Sequence, residues 1–152
     1  MIYIGIDPGK KGAWAVLRDG EKPMVYPWDD TFFVSDLHGV MVLARERGDG
    51  VMACVEKVGA FRGQGVKSMF NFGKSAGFIE GVLTALGIPY QLVPPNVWKK
   101  SFSLIGKDKQ ASIDTCKRMF PGINLMPSDR CRKDSDGMAE ALLMAEFAKR
   151  KL

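Results

Sequence analysis

Histidine is nearly absent from this chain, while acidic residues close its most apolar segments, and that contrast sets the chemistry open to it. The single histidine, His38, lies in the apolar stretch Asp36-Leu-His-Gly-Val with no acid or cysteine spaced to partner it, which removes Ser-His-Asp hydrolysis and related mechanisms. Cys54, Cys116 and Cys131 are odd in number and lack CxxC spacing, so neither a disulfide framework nor a zinc site follows. Carboxylates are left. Asp7 ends the run Ile2 to Ile6, Glu56 ends Val51-Met-Ala-Cys-Val, and Asp134-Ser-Asp-Gly-Met-Ala-Glu140 opens the last apolar segment.

Each acid has a plain structural reading. Asp-Pro-Gly is a good turn without any chemistry, Glu56 can be a strand-end acid facing solvent, and Asp134 or Asp136 can cap a helix. Capping does not account for Glu140, which shares a helix face with Asp136 four residues earlier. If the strands ending in Asp7 and Glu56 are parallel neighbours, both carboxylates meet at one mouth of a sheet. Four such groups repel one another unless cations neutralise them, and oxygen-only donors select hard ions such as Mg²⁺ or Mn²⁺. Two ions about 3.5–4 Å apart would activate water and stabilise the leaving 3′-oxygen of an in-line phosphodiester cleavage, with no histidine required.

The elements that must position these acids follow from periodicity. Ile2 to Ile6, Gly12 to Leu17 and Met24 to Tyr26 predict three consecutive strands joined by Asp7-Pro-Gly and Arg18-Asp-Gly-Glu-Lys-Pro turns, hence an antiparallel meander. Phe33, Leu37, Val40, Leu43 and Ala44 give an amphipathic helix over 32–47, stopped by Gly48-Asp-Gly. The strand ending in Glu56 reads as buried on both faces. A glycine-rich loop, Val58 to Gly65, leads into a long helix over about 66–86. Beyond it come a strand at Tyr90 to Val93, a short helical turn opened by Pro94 and Pro95, a helix at Lys109 to Phe120, a basic loop around Ser128 to Ser135, and a last helix from Asp136 to about Arg150. This order predicts one α/β domain over residues 1–152, a mixed five-stranded sheet with helices on both faces, as in the ribonuclease H-like fold.

Composition agrees with a folded protein: 46% hydrophobic and 26% charged residues, without a low-complexity block. No apolar run is long enough to span a bilayer and no signal-peptide pattern opens the chain, so the expectation is a cytoplasmic protein. The net charge of +5 is unevenly spread. Lys57 through Lys133 holds 13 Lys or Arg against four acids, whereas the rest holds nine against 13, so a basic middle lies between acid-bearing ends. A polyanion such as nucleic acid fits this asymmetry, and a generic solubilising surface is the plainer alternative.

The ordered set Ile4-Gly-Ile-Asp-Pro-Gly with Gly12, Val55-Glu56, Asn96-Val-Trp-Lys-Lys, Gly106-Lys-Asp-Lys109 and Asp136-Gly-Met-Ala-Glu-Ala-Leu resembles the RuvC-type Holliday-junction resolvases, phage-encoded members in particular, over nearly the full chain. The first motif alone is shared with actin-like kinases, but these need a second phosphate loop and a second domain that 152 residues do not accommodate. The resemblance implies a Mg²⁺-dependent endonuclease cutting four-way junctions and other branched DNA, with Mn²⁺ as a substitute, acting in the bacterial host cell. It also implies that Asp7, Glu56, Asp136 and Glu140 bind the metals, with Lys109, and Lys99 or its neighbour Lys100, contacting the scissile phosphate or assisting proton transfer. Bacterial family members usually space the last two acids by three residues; here the spacing is four, and Gly137 holds the expected position. Phe61 and Arg62 are placed to reach DNA, Phe61 as a wedge at a branch point or else a loop aromatic folded onto the core. Lys67, Lys107, Arg130, Arg132 and Lys133 complete the expected DNA-binding set. Gly73, Gly77 and Gly81 form a smooth helical stripe that either packs on its own sheet or, as the resemblance implies, builds a homodimer. A protein that keeps this fold and binds branched DNA without cutting it is the alternative function.

Overall fold

The computed structural model describes residues 1–60 and 62–152, so the expectation for Phe61 lies outside the described residues. Strands β1 (Ile2–Asp7), β2 (Ala13–Arg18) and β3 (Met24–Pro27) form the antiparallel meander. Strand β4 (Val51–Glu56) then pairs parallel to β1, and β5 (Tyr90–Val93) parallel to β4, giving a mixed sheet of order β3-β2-β1-β4-β5.

The two-residue period of a strand divides the sheet into two faces. Ile2, Ile4 and Ile6, with Ala53 and Val55, join a core with Phe33, Leu37, Val40 and Ala44 of α1 (Asp30–Arg47) and Ile79 and Leu83 of α2 (Val66–Ala85). Tyr3 and Cys54 face the other way, into a core with α3 (Pro95–Ser101), α4 (Lys109–Met119) and α5 (Asp136–Lys151). Helices therefore cover both faces, as the order of elements predicted. The same parity assigns Asp7 and Glu56, one step beyond the paired Ile6 and Val55, to the face that α5 covers.

Helix α5 is buried from Gly137 through Ala148 and crosses β1 at backbone distance. A Cβ on Gly5 would stand 1.9 Å from the Ala141 carbonyl oxygen and 2.4 Å from the Ala145 amide nitrogen, so only glycine admits this approach. Local caps set the helix starts. Asp29 accepts from the Thr31 amide, which begins α1 at Asp30 rather than Phe32; Asp108 caps α4 and Ser135 caps α5. Gly48, at φ +69°, terminates α1 in the left-handed conformation. Among the described residues no helix is long and apolar enough to cross a membrane.

Candidate metal centre and its cleft

Asp7 and Glu56 leave the sheet at the C-terminal ends of the adjacent parallel strands β1 and β4. The first turns of α5 lie over that end and supply Asp136 and Glu140 from one helix face. Asp7 is the electrostatic centre of the group. Burial pushes its carboxyl well above the usual range, and the charges of Glu56, Glu140 and Asp136 push it further, against a smaller opposing effect of Lys99. Burial likewise raises Glu56, where the Trp98 indole N–H, donating at 2.8 Å, works in the opposite direction.

Cations and donors already engage three of the four acids. Lys99 Nζ lies 3.2 Å from Glu140 Oε1, and Lys109 Nζ lies 3.1 Å from Asp136 Oδ2. The Ser112 hydroxyl donates to Glu140 at 3.1 Å. Among the described residues no three acidic side chains stand as a ready-made ion cage. The donor set nonetheless suits a hard divalent ion: it is all oxygen, concentrated in charge and partly desolvated, so that a cation relieves the repulsion that adds to burial in raising Asp7.

An open cleft of about 1020 Å³ runs over the acids. Asp7, Asp136 and Glu140 face it from the fold's core, while Ser68, Asn71, Phe72 and Ser75, on one face of α2, line the opposite wall. Lys10, Lys11, Lys67, Lys99 and Lys109 give its rim a positive charge suited to phosphates. Lys99 reaches Glu140, whereas Lys100 is exposed and outside the cleft, which separates the two neighbours that the sequence left interchangeable. Arg62, Lys107, Arg130, Arg132 and Lys133 are exposed but line no part of this cleft.

Asp134 pairs with Lys117 away from the cleft, leaving Asp136 as the acid that faces it. The unusual spacing has a steric cause. A Cβ on Gly137 would lie 2.4 Å from the Lys11 carbonyl oxygen and 3.4 Å from Asp7 Oδ2, so no acidic side chain fits there without moving the β1–β2 turn. The first carboxylate of α5 sits one residue earlier, and a full helical turn separates it from Glu140. Lys10, Lys11, Trp98, Ser112 and the α2 wall went unassigned in the sequence. Two lysines directly after an Asp-Pro-Gly turn were a usable signal for the first pair; the contacts of Trp98 and Ser112 are tertiary and left none.

No family model and no curated protein sequence matches the chain. Solved structures do. The RuvC of T. thermophilus in complex with a Holliday junction substrate superposes with a TM-score of 0.59 at 17% identity, covering 99% of this chain and 96% of that one. This chain has the RuvC fold. A second Thermus thermophilus RuvC structure superposes with a TM-score of 0.56, again at 17% identity with 99% and 96% covered. At this identity the RuvC fold is what the likeness shows, and the chemistry rests on the residues at the sheet mouth.

Proposed function

We propose that the protein is a divalent-metal-dependent endonuclease that cuts branched DNA, four-way junctions in particular. The observation that carries this reading is the electrostatic convergence of Glu56, Glu140 and Asp136 on half-buried Asp7, with Asp7, Asp136 and Glu140 lining a lysine-rimmed cleft. A RuvC fold spanning almost the whole of both chains supports it, since the T. thermophilus RuvC was solved in complex with a Holliday junction substrate.

In this proposal Asp7, Glu56, Asp136 and Glu140 hold Mg²⁺, with charge enough for two ions and with Mn²⁺ as a substitute. A divalent ion there supplies Lewis acidity at the scissile phosphate and stabilises the charge that develops as the phosphodiester breaks. Lys109, whose ammonium is held above its usual range chiefly by the hydrogen bond to Asp136, stays charged and is exposed enough to meet a phosphate. Lys99, paired with Glu140 and lining the same cleft, contributes a second positive charge there. The wider basic middle, Arg62, Lys67, Lys100, Lys107, Arg130, Arg132 and Lys133, holds the DNA arms by sequence-independent phosphate contact.

A two-fold dimer matches the symmetry of a four-way junction, and α2 supports one. Among the described residues Gly73, Gly77 and Gly81 have nothing within 4 Å of an added Cβ, which speaks against this stripe packing on its own sheet. Val66 and Phe70 on the same helix are 81% and 70% exposed, too much apolar surface for a helix facing water. The decisive experiment incubates the protein with a four-way junction, a flap and linear duplex, with Mg²⁺ and with chelator, and maps the nicks. Mg²⁺-dependent cuts near the junction centre are expected; binding without cutting under every metal condition would establish a non-catalytic branched-DNA binder instead.

A further inference from the structure

The motif Asn96-Val-Trp-Lys-Lys contains one residue that the proposed nuclease chemistry does not use directly. Trp98 is fully buried, packed with Val93, Phe102, Leu104 and Leu125, yet its indole nitrogen comes out of that core at Glu56 Oε2. Ser112 occupies the equivalent place on α4: 3% exposed, with its hydroxyl donating to Glu140 Oε1. Two acids from different elements thus each receive one donor from a side chain rooted in the core under α3, α4 and α5.

We infer that Trp98 and Ser112 are positioning residues that fix which oxygen of Glu56 and of Glu140 faces the candidate metal site. This rests on the nuclease reading of that site. The physical case is directional. An indole N–H only donates, so Trp98 takes one lone pair of Glu56 Oε2, fixes the carboxylate plane and leaves Oε1 the less engaged oxygen for a cation. Lys99 follows Trp98 on α3, its ammonium 5.2 Å from the Trp98 ring centroid, and reaches Glu140, so one turn of helix holds both acids. Pro95 at the first position of α3 fixes the start of that turn, which registers both side chains together. A carboxylate held by a buried donor loses less rotational freedom when an ion arrives, and removing such outer partners weakens metal binding about 10–100-fold.

The test is calorimetric titration of Mn²⁺ into the intact protein and into W98F, S112A and W14F, each with its thermal unfolding curve. Trp14 is also buried, stacks on Tyr26 at 4.6 Å and, among the described residues, bonds no acid, so W14F carries the packing cost of losing an indole without the positioning role. W98F and S112A are expected to bind Mn²⁺ about 10–100-fold more weakly, and W14F within about twofold of wild type. In ¹⁵N-labelled wild type, Mg²⁺ should move the Trp98 indole N–H resonance and leave that of Trp14 in place. S112A at wild-type affinity, or W98F no weaker than W14F, overturns the positioning role; should W98F fail to fold, S112A decides. Wild type that takes up no Mn²⁺ is a different result, and removes the metal centre itself.

Discussion

Replacing Asp7 by Asn should stabilise the metal-free protein while abolishing its chemistry. The side chain is nearly isosteric, and no hydrogen bond among the described residues offsets the burial and the three carboxylate charges that raise its pKa. A carboxyl whose pKa is higher folded than unfolded makes the native state bind more protons. Its stabilising effect is therefore complete below the unfolded value, near 4, and is lost as pH rises through the folded one. Each tenfold excess in proton affinity costs the folded state about 1.4 kcal/mol at pH above both values. For a chain of this size that is roughly 3–6 °C in Tm. D7N lacks this loss, so at pH 8 in chelator it should melt above wild type, and its Tm should change less between pH 4 and pH 8. Divalent ion must reverse the order. At a hundred times its Kd a bound ion contributes about 2.7 kcal/mol, roughly 5–11 °C, to wild type and little to D7N, which lacks the central ligand. Thermal unfolding by circular dichroism across pH, with Mg²⁺ and with chelator, reads both effects. A D7N protein less stable than wild type at pH 8 in chelator, and just as sensitive to pH, would refute the electrostatic reasoning.

Gly137→Asp restores the three-residue acid spacing but drives a Cβ to 2.4 Å from the Lys11 carbonyl; urea unfolding should show a loss of about 1–3 kcal/mol, and the change should not rescue cutting in an Asp136→Asn background. Gly77→Glu places a charge on the open face of α2, so sedimentation should show a monomer with unchanged circular dichroism; a dimer that persists would move the two-fold interface elsewhere. Lys109→Ala removes a side chain 79% exposed and paired only at its tip with Asp136. It should keep the Mg²⁺-induced rise in Tm, cut junctions more slowly, and lower the salt slope of binding by about 1.

How much of this was legible in the sequence depended on the range of the interaction that decides each feature. Strand ends are local: an apolar run closed by an acid names its own terminus, and the period of two, with one parallel pairing, is enough to bring Asp7 and Glu56 to one face. The five strands and the helices on both faces followed in the same way. Partner choice is not local. Asp134 and Asp136 read alike at the head of α5 until Lys117, 17 residues earlier, takes the first and leaves the second to the cleft. Trp98 finds Glu56 across 42 residues and Ser112 finds Glu140 across 28, distances over which no spacing rule operates. The glycine stripe of α2 had two readings, and the absence among the described residues of a neighbour within 4 Å of it speaks only against packing on its own sheet. Gly137 joins the two kinds of information. Its departure from the expected spacing is visible in the sequence, but its cause is a carbonyl oxygen on the turn after β1, the turn that begins with Asp7. The contact that shifts the acid on α5 is thus the contact that brings α5 down onto Asp7. The four-residue spacing follows from how closely this helix approaches the sheet, with both acids still on one face of it and Asp136 still at the cleft.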